Sequence, residues 1–243
     1  MTAPLFLASA DALASVSAGD VVVLDGDEGR HAADVRRLRP GEPIDVSDGC
    51  GVVVHGEVAE VARGRLTVSV RERIVVPPRE PRLVVVQALA KGGRDEDAVE
   101  AMTEVGVDEV VGWQSSRAVA KWTDRTATKW LATARAAAKQ SRSPWVPVVS
   151  GPLSTGDVAA RLRAAAVGLV LHESASPSLS SVEVPGTGEV VMVVGPEGGV
   201  APEEVDEFQA AGAVVCRLGA TVLRSSTAGV AALSVLSAKT RWR

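Results

Sequence analysis

The chain has 243 residues, which is enough for one large domain or two modest ones. Hydrophobic residues make up 46% of it and charged residues 23%, a composition that excludes a disordered chain. No apolar stretch is long enough to span a bilayer, and residues 1–20 contain no Lys or Arg. We therefore expect neither a membrane span nor a secretory signal peptide.

The cysteine and histidine content argues against a metal site. Cys50 and Cys216 lie far apart in apolar, strand-like surroundings, which is typical of small buried residues in a reducing compartment. No Cys or His pair has the spacing of a zinc site, and the chain has only three histidines. We predict a cytoplasmic protein that binds no metal.

The basic residues are unevenly distributed along the chain. The net charge of −4 by itself argues against a nucleic-acid partner. Between Val110 and Pro147, however, seven residues are basic and one is acidic, and from Phe208 onward five are basic and none is acidic. Because local fields decide whether a phosphate backbone is attracted, these stretches are either solvated faces or nucleic-acid contacts.

Residues 1–75 are predicted to form a small β-rich domain. Short valine-rich runs separated by Gly and Asp turns favour a barrel over a parallel sheet. The predicted strands are Val21–Leu24, Pro43–Val46, Gly51–Val58 and Arg65–Val70, with one helix over His31–Leu38. Three prolines within residues 76–82 then predict a stiff linker, because proline suits neither a helix interior nor a central strand.

Residues 83–243 alternate between strands and helices, which predicts an α/β domain with a mainly parallel sheet. The predicted strands are Leu83–Leu89, Val107–Trp113, Val167–His172, Glu189–Val194 and Ala213–Leu218. The predicted helices are Asp95–Val105, Thr126–Ser141, Thr155–Ala166, one from Pro202 to Gly212, and one from Ser225 or Ser226. Asp95 is expected to be an N-cap and Gly106 a C′ residue.

The helix predicted over Thr126–Ser141 has two distinct faces. Trp130, Ala134 and Ala138 form an apolar face. On the opposite side lie the basic residues Arg135, Lys139 and Arg142. The pattern is typical of a helix with one core-facing and one anion-facing side.

Three of the predicted strands end in unusual loops: His172–Ser174, Gly195–Gly199 and Leu218–Arg224. Ligands of open α/β sheets bind beyond the carboxyl ends of the strands, so these loops are candidates for a binding site. The glycines of Gly195–Gly199 would let the backbone approach a ligand, although a tight turn alone would need them too. The chain contains no dinucleotide fingerprint, P-loop or nucleophile elbow at this loop.

The loop motifs together resemble a known superfamily. Val193–Gly199, followed by Arg217–Gly219, Val222–Arg224 and Thr227–Ala228, is similar to the SPOUT methyltransferases. The resemblance is greatest to the family that methylates N3 of a uridine in 16S ribosomal RNA. Gly29–Gly41 is similar to that family's N-terminal PUA-like RNA-binding domain, and Lys91, Glu104–Gly106 and Lys139–Arg142 are similar to its central motifs.

The resemblance implies a fold, a cofactor and partners. It implies a C-terminal parallel-sheet domain with a deep trefoil knot, a small PUA-like β-barrel, and a homodimer acting on 16S rRNA or the small ribosomal subunit. It implies S-adenosylmethionine bound by the three loops. The cofactor-binding residues would be Leu171, His172, Glu173, Gly195, Pro196, Glu197, Gly198, Gly199, Leu218, Gly219, Val222 and Leu223.

Arg224 is the candidate catalytic residue. A guanidinium could hold the uracil carbonyl oxygens and stabilise negative charge as N3 loses its proton, although it could equally bind a phosphate or carboxylate. Because that proton lies inside any base pair, the target base must be unpaired or extruded. The predicted RNA contacts are Arg30, Arg36, Arg37, Lys91, Lys139 and Arg142.

Two features leave alternatives open. Many family members carry Glu-Thr-Ala where this chain has Ser226-Thr227-Ala228, so either a functional glutamate is missing or the position is merely a helix N-cap. A non-catalytic RNA-binding or ribosome-assembly factor, or a methyltransferase acting on another RNA position, therefore remains possible. A serine hydrolase using His172 is disfavoured by the missing nucleophile elbow. The last helix has a face of small residues, which suits close packing either within the subunit or against a partner: Ala228, Ala231, Ala232, Val235 and Ala238.

Overall fold

A computed structural model describes residues 3–242 of the chain. The chain forms two compact units. The first runs up to Pro78 and also includes Ala138–Val146, and the second consists of Arg79–Ala137 together with the chain from Pro147 onward. No helix among the described residues is both long and apolar enough to cross a membrane.

The first unit is built on a five-stranded sheet. The strands are β1 (Leu5–Leu7), β2 (Val21–Leu24), β3 (Pro43–Ser47), β4 (Val52–Ala62) and β5 (Arg65–Val75), in the order β1-β3-β4-β5-β2. The β1–β3 pair is parallel and the other pairs are antiparallel. The predicted strands of this half are thus confirmed, with β4 and β5 longer than expected, and β1 was not predicted.

The core of the first unit follows from alternation along these strands. In β2, Val22 and Leu24 are buried whereas Val21 and Val23 are exposed, as a sheet with one covered face requires. The long β4–β5 hairpin is irregular next to Gly56, whose added Cβ would lie 2.4 Å from the Ser69 carbonyl oxygen. Such irregularities bend a strand, which helps a small sheet to enclose its apolar residues.

The helix of the first unit differs from its predicted bounds. A four-residue helix α1 (Ala10–Leu13) precedes it, and α2 (Gly26–Arg30) continues as a π-helical turn over His31–Val35. The predicted helix, His31–Leu38, therefore began too late and ended too late. Arg37 takes a left-handed conformation with φ of 54°, and this ends the helix before Pro40.

The second unit is a six-stranded sheet with helices. Its strands are β6 (Arg82–Ala88), β7 (Glu109–Trp113), β8 (Val148–Leu153), β9 (Val167–Leu171), β10 (Glu189–Val194) and β11 (Val214–Cys216). Their order is β11-β9-β10-β6-β7-β8, and every neighbouring pair is parallel. The predicted parallel α/β domain is confirmed, whereas β8 was not predicted.

The helices of this unit match the predicted ones to within a few residues. They are α3 (Arg94–Glu104), α4 (Asp124–Ser141), α5 (Thr155–Ala164), α6 (Pro202–Ala210) and α7 (Ser225–Thr240). Gly106 follows α3 with φ of 87°, as predicted. The prediction that Asp95 caps α3 is wrong, because Gly93 holds that position and Asp95 is a buried acceptor for Trp130 Nε1 at 3.3 Å.

Helix α4 begins in the second unit and ends in the first. Trp130, Ala134 and Ala138 are fully buried, which confirms its apolar face. Arg142, in contrast, lies just beyond the helix in a left-handed conformation with φ of 56°. The segment that follows is fixed to the first unit, where Trp145 Nε1 donates to the Val76 carbonyl oxygen at 3.2 Å.

Strand order fixes where a ligand can bind in the second unit. From β6 the chain proceeds through β7 to β8 on one side, and it then returns to β9, β10 and β11 on the other side. The loops that leave the carboxyl ends of β6 and β10 therefore lie next to each other. Such a switch in direction opens a crevice at the carboxyl edge of a parallel sheet.

Candidate active site

A cleft of about 450 Å³ lies at the carboxyl ends of β9, β10 and β11. This volume is within the range of small-ligand sites. All twelve residues predicted to bind a cofactor, together with Arg224, line it. Seven further residues line it that were not predicted: Arg94, Val194, Val200, Arg217, Thr221, Ser225 and Ala228. The structure thus brings the three predicted loops to one place.

The loop after β10 has a backbone that only glycine accommodates at two positions. A Cβ on Gly195 would lie 2.9 Å from Val200 Cγ2 and 3.1 Å from the Val200 nitrogen. Gly199 has φ of 72°, and its N–H donates to the Pro196 carbonyl oxygen at 2.9 Å. The strand therefore turns sharply into the loop, which leaves the backbone of the turn bare towards the cleft.

Hydrogen bonds with two other segments, the one after β6 and the one after β7, hold the loop after β10. Glu197 Oε1 accepts from the Lys91 N–H at 3.3 Å and from Arg94 Nη1 at 3.4 Å. Arg117 Nη1 donates to the Gly198 carbonyl oxygen at 2.9 Å. Sequence reasoning missed Arg94 and Arg117, because these contacts join residues that lie 81 or more positions apart.

His172 is held at the end of β9 as a structural residue. Its N–H donates to the Cys216 carbonyl oxygen at 3.0 Å, which extends the β9–β11 ladder by one residue. Its Nδ1 accepts from the Ser174 N–H at 3.2 Å, so the ring carries its proton on Nε2 in this arrangement. Burial raises the pKa of the neighbouring Cys216 thiol to about 11, so this cysteine is not a nucleophile. The expectation of a buried cysteine is confirmed for Cys216 and wrong for Cys50, which is exposed.

The loop between β11 and α7 supplies apolar and cationic groups. Val222 is 77% exposed and Leu223 36% exposed, although both are apolar. Arg224 is the N-cap residue of α7, and its carbonyl oxygen accepts from the Thr227 and Ala228 N–H groups at 2.9 Å. Within residues 3–242 its guanidinium makes no hydrogen bond or ion pair, so its charge is available to a ligand.

The N-cap explanation for Ser226 is wrong. Because Arg224 occupies the N-cap position and α7 starts at Ser225, Ser226 is the second residue of the helix. Ser225, the residue before it, is 7% exposed and lines the cleft. Its Oγ is buried without a hydrogen-bond partner in the described part of the chain, which leaves a polar atom for a ligand to satisfy.

The predicted RNA contacts fall in both units. Arg30, Arg36 and Arg37 are exposed on the first unit, and Lys91 is exposed on the second. Lys139 and Arg142 belong to the first unit, although the α/β domain was predicted to contain them. Lys139 is 19% exposed, and its Nζ pairs with Glu28 at 2.7 Å, so its charge is already matched.

Among residues 3–242, no cluster of three His, Cys, Asp or Glu side chains is arranged to hold a metal. The cleft is instead lined by the backbone of the glycine-rich loop, by apolar side chains, and by the charged groups of three arginines and two glutamates. These features define a small-ligand site at the carboxyl edge of a parallel α/β sheet, in a protein that also carries a separate small β unit.

Comparison with known families identifies the class of protein. A family model for an RNA methyltransferase domain matches residues 78–237, and one for an RNA methyltransferase PUA domain matches residues 24–71. The chain therefore belongs to the RNA methyltransferase family.

Curated relatives agree over nearly the whole length. The chain is similar to the ribosomal RNA small subunit methyltransferase E of Mycobacterium bovis, with 46% identity over 92% of this chain and 89% of the relative. It is also similar to the Bacillus subtilis protein of that name, with 28% identity over 89% and 90% of the two chains.

Solved structures agree with the fold. Ribosomal RNA small subunit methyltransferase E of Neisseria gonorrhoeae, bound to S-adenosyl methionine, superposes with a TM-score of 0.88 at 23% identity over 98% of each chain. A Legionella pneumophila methyltransferase in complex with the same cofactor gives 0.86 at 23% identity over 99% of each chain. At this identity the likeness concerns the fold, and it confirms the α/β domain with a PUA-like N-terminal domain.

Proposed function

We propose that this protein transfers a methyl group from S-adenosylmethionine to N3 of a uridine in the 16S RNA of the small ribosomal subunit. The observation that carries the proposal is the convergence of three loops, distant in sequence, on one cleft at the carboxyl edge of the sheet. The curated relatives are named as small-subunit ribosomal RNA methyltransferases, which supports the same substrate here.

The residues of the cleft fit this cofactor. Gly195 and Gly199 keep the backbone bare, so a ligand can approach its polar groups. The apolar side chains of Val222 and Leu223 can cover an adenine ring, and the unpartnered Ser225 Oγ can bond a polar atom of the ligand. When bound, S-adenosylmethionine supplies a methyl group that is already activated on a sulfonium, so the protein needs to align the target and manage its proton.

Arg224 is proposed to act on the target base. Its backbone is fixed at the start of α7, and its guanidinium lines the cleft without an intramolecular partner in the described residues. A guanidinium can donate to one of the two carbonyl oxygens that flank N3 and stabilise the anion left when N3 loses its proton, while the in-plane approach to N3 stays open for the methyl group. His172 is proposed to line the cleft and not to act as the base, because its Nδ1 already accepts a hydrogen bond.

RNA binding is proposed for the exposed basic residues of both units. Arg30, Arg36, Arg37 and Arg142 would contact phosphates from the first unit, and Lys91 from the second. Lys139 is expected to contribute less than these residues, because using its charge would break the ion pair with Glu28.

A homodimer is proposed on the basis of α7. Its buried side faces its own subunit with Gly229, Ala232, Leu233 and Leu236. The small residues Ala228, Ala231, Val235 and Ala238 recur at helical spacing and stay at least partly exposed. This second face suits a partner helix in close contact. The trefoil knot likewise remains a prediction from the resemblance.

One observation favours a second candidate, a non-catalytic RNA-binding factor of the same fold. Ser226 lies inside the first turn of α7, so helix capping no longer explains why the common glutamate is absent. If that glutamate were essential for methyl transfer, this chain would bind RNA without modifying it.

The two candidates are separated by an in vitro transfer assay. The purified chain is incubated with labelled S-adenosylmethionine and small ribosomal subunits from cells lacking the gene, and the labelled nucleoside is identified by mass. We expect N3-methyluridine. Binding of both partners without transfer would support the non-catalytic factor, and a different methylated nucleoside would overturn the assignment of position.

A further inference from the structure

Arg217 lines the cleft with a fixed backbone and a side chain that forms no hydrogen bond or ion pair within residues 3–242. It follows β11 directly, and its N–H donates to the Pro177 carbonyl oxygen at 2.9 Å. Its carbonyl oxygen accepts from the Leu179 N–H at 2.8 Å, in an isolated bridge with Ser178. The side chain therefore starts from a fixed point on the lip of the cleft.

The guanidinium of Arg217 takes no part in the polar contacts that hold the described part of the fold. Over residues 3–242 it makes neither an ion pair nor a hydrogen bond. Two other arginines near the cleft are engaged, since Arg94 pairs with Glu197 and Arg117 bonds the Gly198 carbonyl oxygen. Arg217 and Arg224 are thus two cations on one cleft whose charges have no protein partner in this part of the chain.

Exposure indicates what Arg217 binds. Arg217 is exposed, as is Arg224, whereas Ser225, which follows Arg224 directly, is buried in the cleft. When a base is extruded into a pocket, the sugar–phosphate backbone that carries it passes over the rim. A guanidinium at that place can bond two phosphate oxygens at once, which a lysine cannot do.

We infer that Arg217 binds a backbone phosphate of the RNA strand that carries the target nucleotide. Arg224 then acts on the base in the cleft, while Arg217 binds a phosphate of the strand that leads to this base. The inference rests on the proposed function for the identity of the RNA, but its test is one of binding and does not require methyl transfer.

The test compares variants of the full-length protein in binding to small ribosomal subunits across a series of KCl concentrations. Arg217→Gln removes the charge and Arg217→Lys keeps it. Arg163→Gln is the matched control, because Arg163 is also exposed and without a partner within residues 3–242, yet lies at the end of α5 away from the cleft. The affinity for S-adenosylmethionine is measured on each variant by calorimetry.

We expect Arg217→Gln to weaken subunit binding about ten-fold and to lower the salt slope by about one unit, as the loss of one phosphate contact does. Arg217→Lys should retain part of the affinity, Arg163→Gln should match the wild type, and cofactor affinity should be unchanged. Subunit binding by Arg217→Gln equal to that of Arg163→Gln overturns the inference. A loss of cofactor affinity with unchanged subunit binding also overturns the inference, because it would indicate that Arg217 binds the carboxylate of the cofactor. If the wild type binds subunits with the expected salt slope but transfers no methyl group, the proposed function fails while the inference stands.

Discussion

Arg117 Nη1 donates to the carbonyl oxygen of Gly198 at 2.9 Å, and this bond joins the loop after β7 to the glycine-rich loop after β10. The neighbouring Ser116 N–H donates to Glu204 Oε1 at 2.8 Å, which joins the loop after β7 also to helix α6, the element that follows the glycine-rich loop. Glu204 is 5% exposed, and its other oxygen accepts from the Ala201 N–H at 3.1 Å. The conformation of the loop after β10 thus depends on a side chain that is distant in sequence.

Replacing Arg117 with alanine should loosen that loop and weaken cofactor binding. A hydrogen bond from a charged group is worth about 1.5–3 kcal/mol, and solvent exposure of Arg117 reduces this to about 1 kcal/mol, or roughly five-fold in affinity. Calorimetric titration with S-adenosylmethionine measures the change. Arg135→Ala, on an exposed part of α4, is the control, and equal affinities for the two variants would show that Arg117 does not position the loop.

Replacing Gly195 with alanine should destabilise the protein. The new Cβ would lie 2.9 Å from Val200 Cγ2 and 3.1 Å from the Val200 nitrogen, so the loop must shift. Crowding of this kind costs about 1–3 kcal/mol, measured by urea denaturation. Gly219→Ala is the matched control, because nothing lies within 4 Å of its added Cβ, and it should unfold like the wild type. Equal stability of the two variants would contradict the steric account.

Replacing Arg224 with alanine should lower the transfer rate at saturating substrate and leave cofactor affinity intact. Loss of one group that stabilises developing charge costs about a hundred-fold in kcat. Arg224→Lys should recover only part of the rate, because an ammonium keeps the charge but lacks the planar, fixed set of donors with which a guanidinium bonds a carbonyl oxygen. If Arg224→Ala turned over near the wild-type rate, the guanidinium would have no role in the chemical step.

A cluster of ion pairs at the edge of the sheet opposite the cleft should make the free energy of unfolding depend on pH. Glu109 is 7% exposed, and it accepts hydrogen bonds from Arg161, Arg82 and Ser150. Burial alone would raise the pKa of Glu109. The hydrogen bonds and charge of Arg161, with the bonds from Ser150 and Arg82, outweigh burial and lower the pKa to about 2.

The sign of the effect follows from that lowered pKa. Because the folded pKa lies below the unfolded value of 4.5, the stabilisation is complete above pH 4.5 and is lost as the pH falls towards 2. Glu109→Gln should cost about 3 kcal/mol near neutral pH and flatten the pH dependence below 4.5. Glu100→Gln, at an exposed position of α3, should leave both unchanged. A wild-type stability curve with no decline between pH 4.5 and 2 would contradict the account.

The strands and loops of the cleft could be predicted because their signals are local. Val190–Val194 is a continuous apolar run, and the structure has β10 over the predicted residues Glu189–Val194. In contrast, β8 contains Gly151 and Pro152, which interrupt the pattern of a strand, and β1 is only three residues long. Neither strand could be recognised from composition and spacing.

The ion-pair and hydrogen-bond partners of the charged side chains could not be predicted from the sequence. Lys139 was assigned to the anion-facing side of α4, yet its ammonium pairs with Glu28, 111 residues away. Arg117 lies in the first acid-poor stretch and Arg217 in the second. Only the structure shows that Arg117 donates a hydrogen bond and that Arg217 forms none within residues 3–242. The same applies to Ser226, whose place in the helix depends on where α7 begins.

Mass analysis of nucleosides in 16S RNA from cells that lack the gene tests the proposed methyl transfer most directly. We expect that N3-methyluridine disappears from this RNA, that the wild-type gene restores it, and that the gene encoding Arg224→Ala does not. An unchanged level of N3-methyluridine in cells without the gene would contradict the proposed substrate.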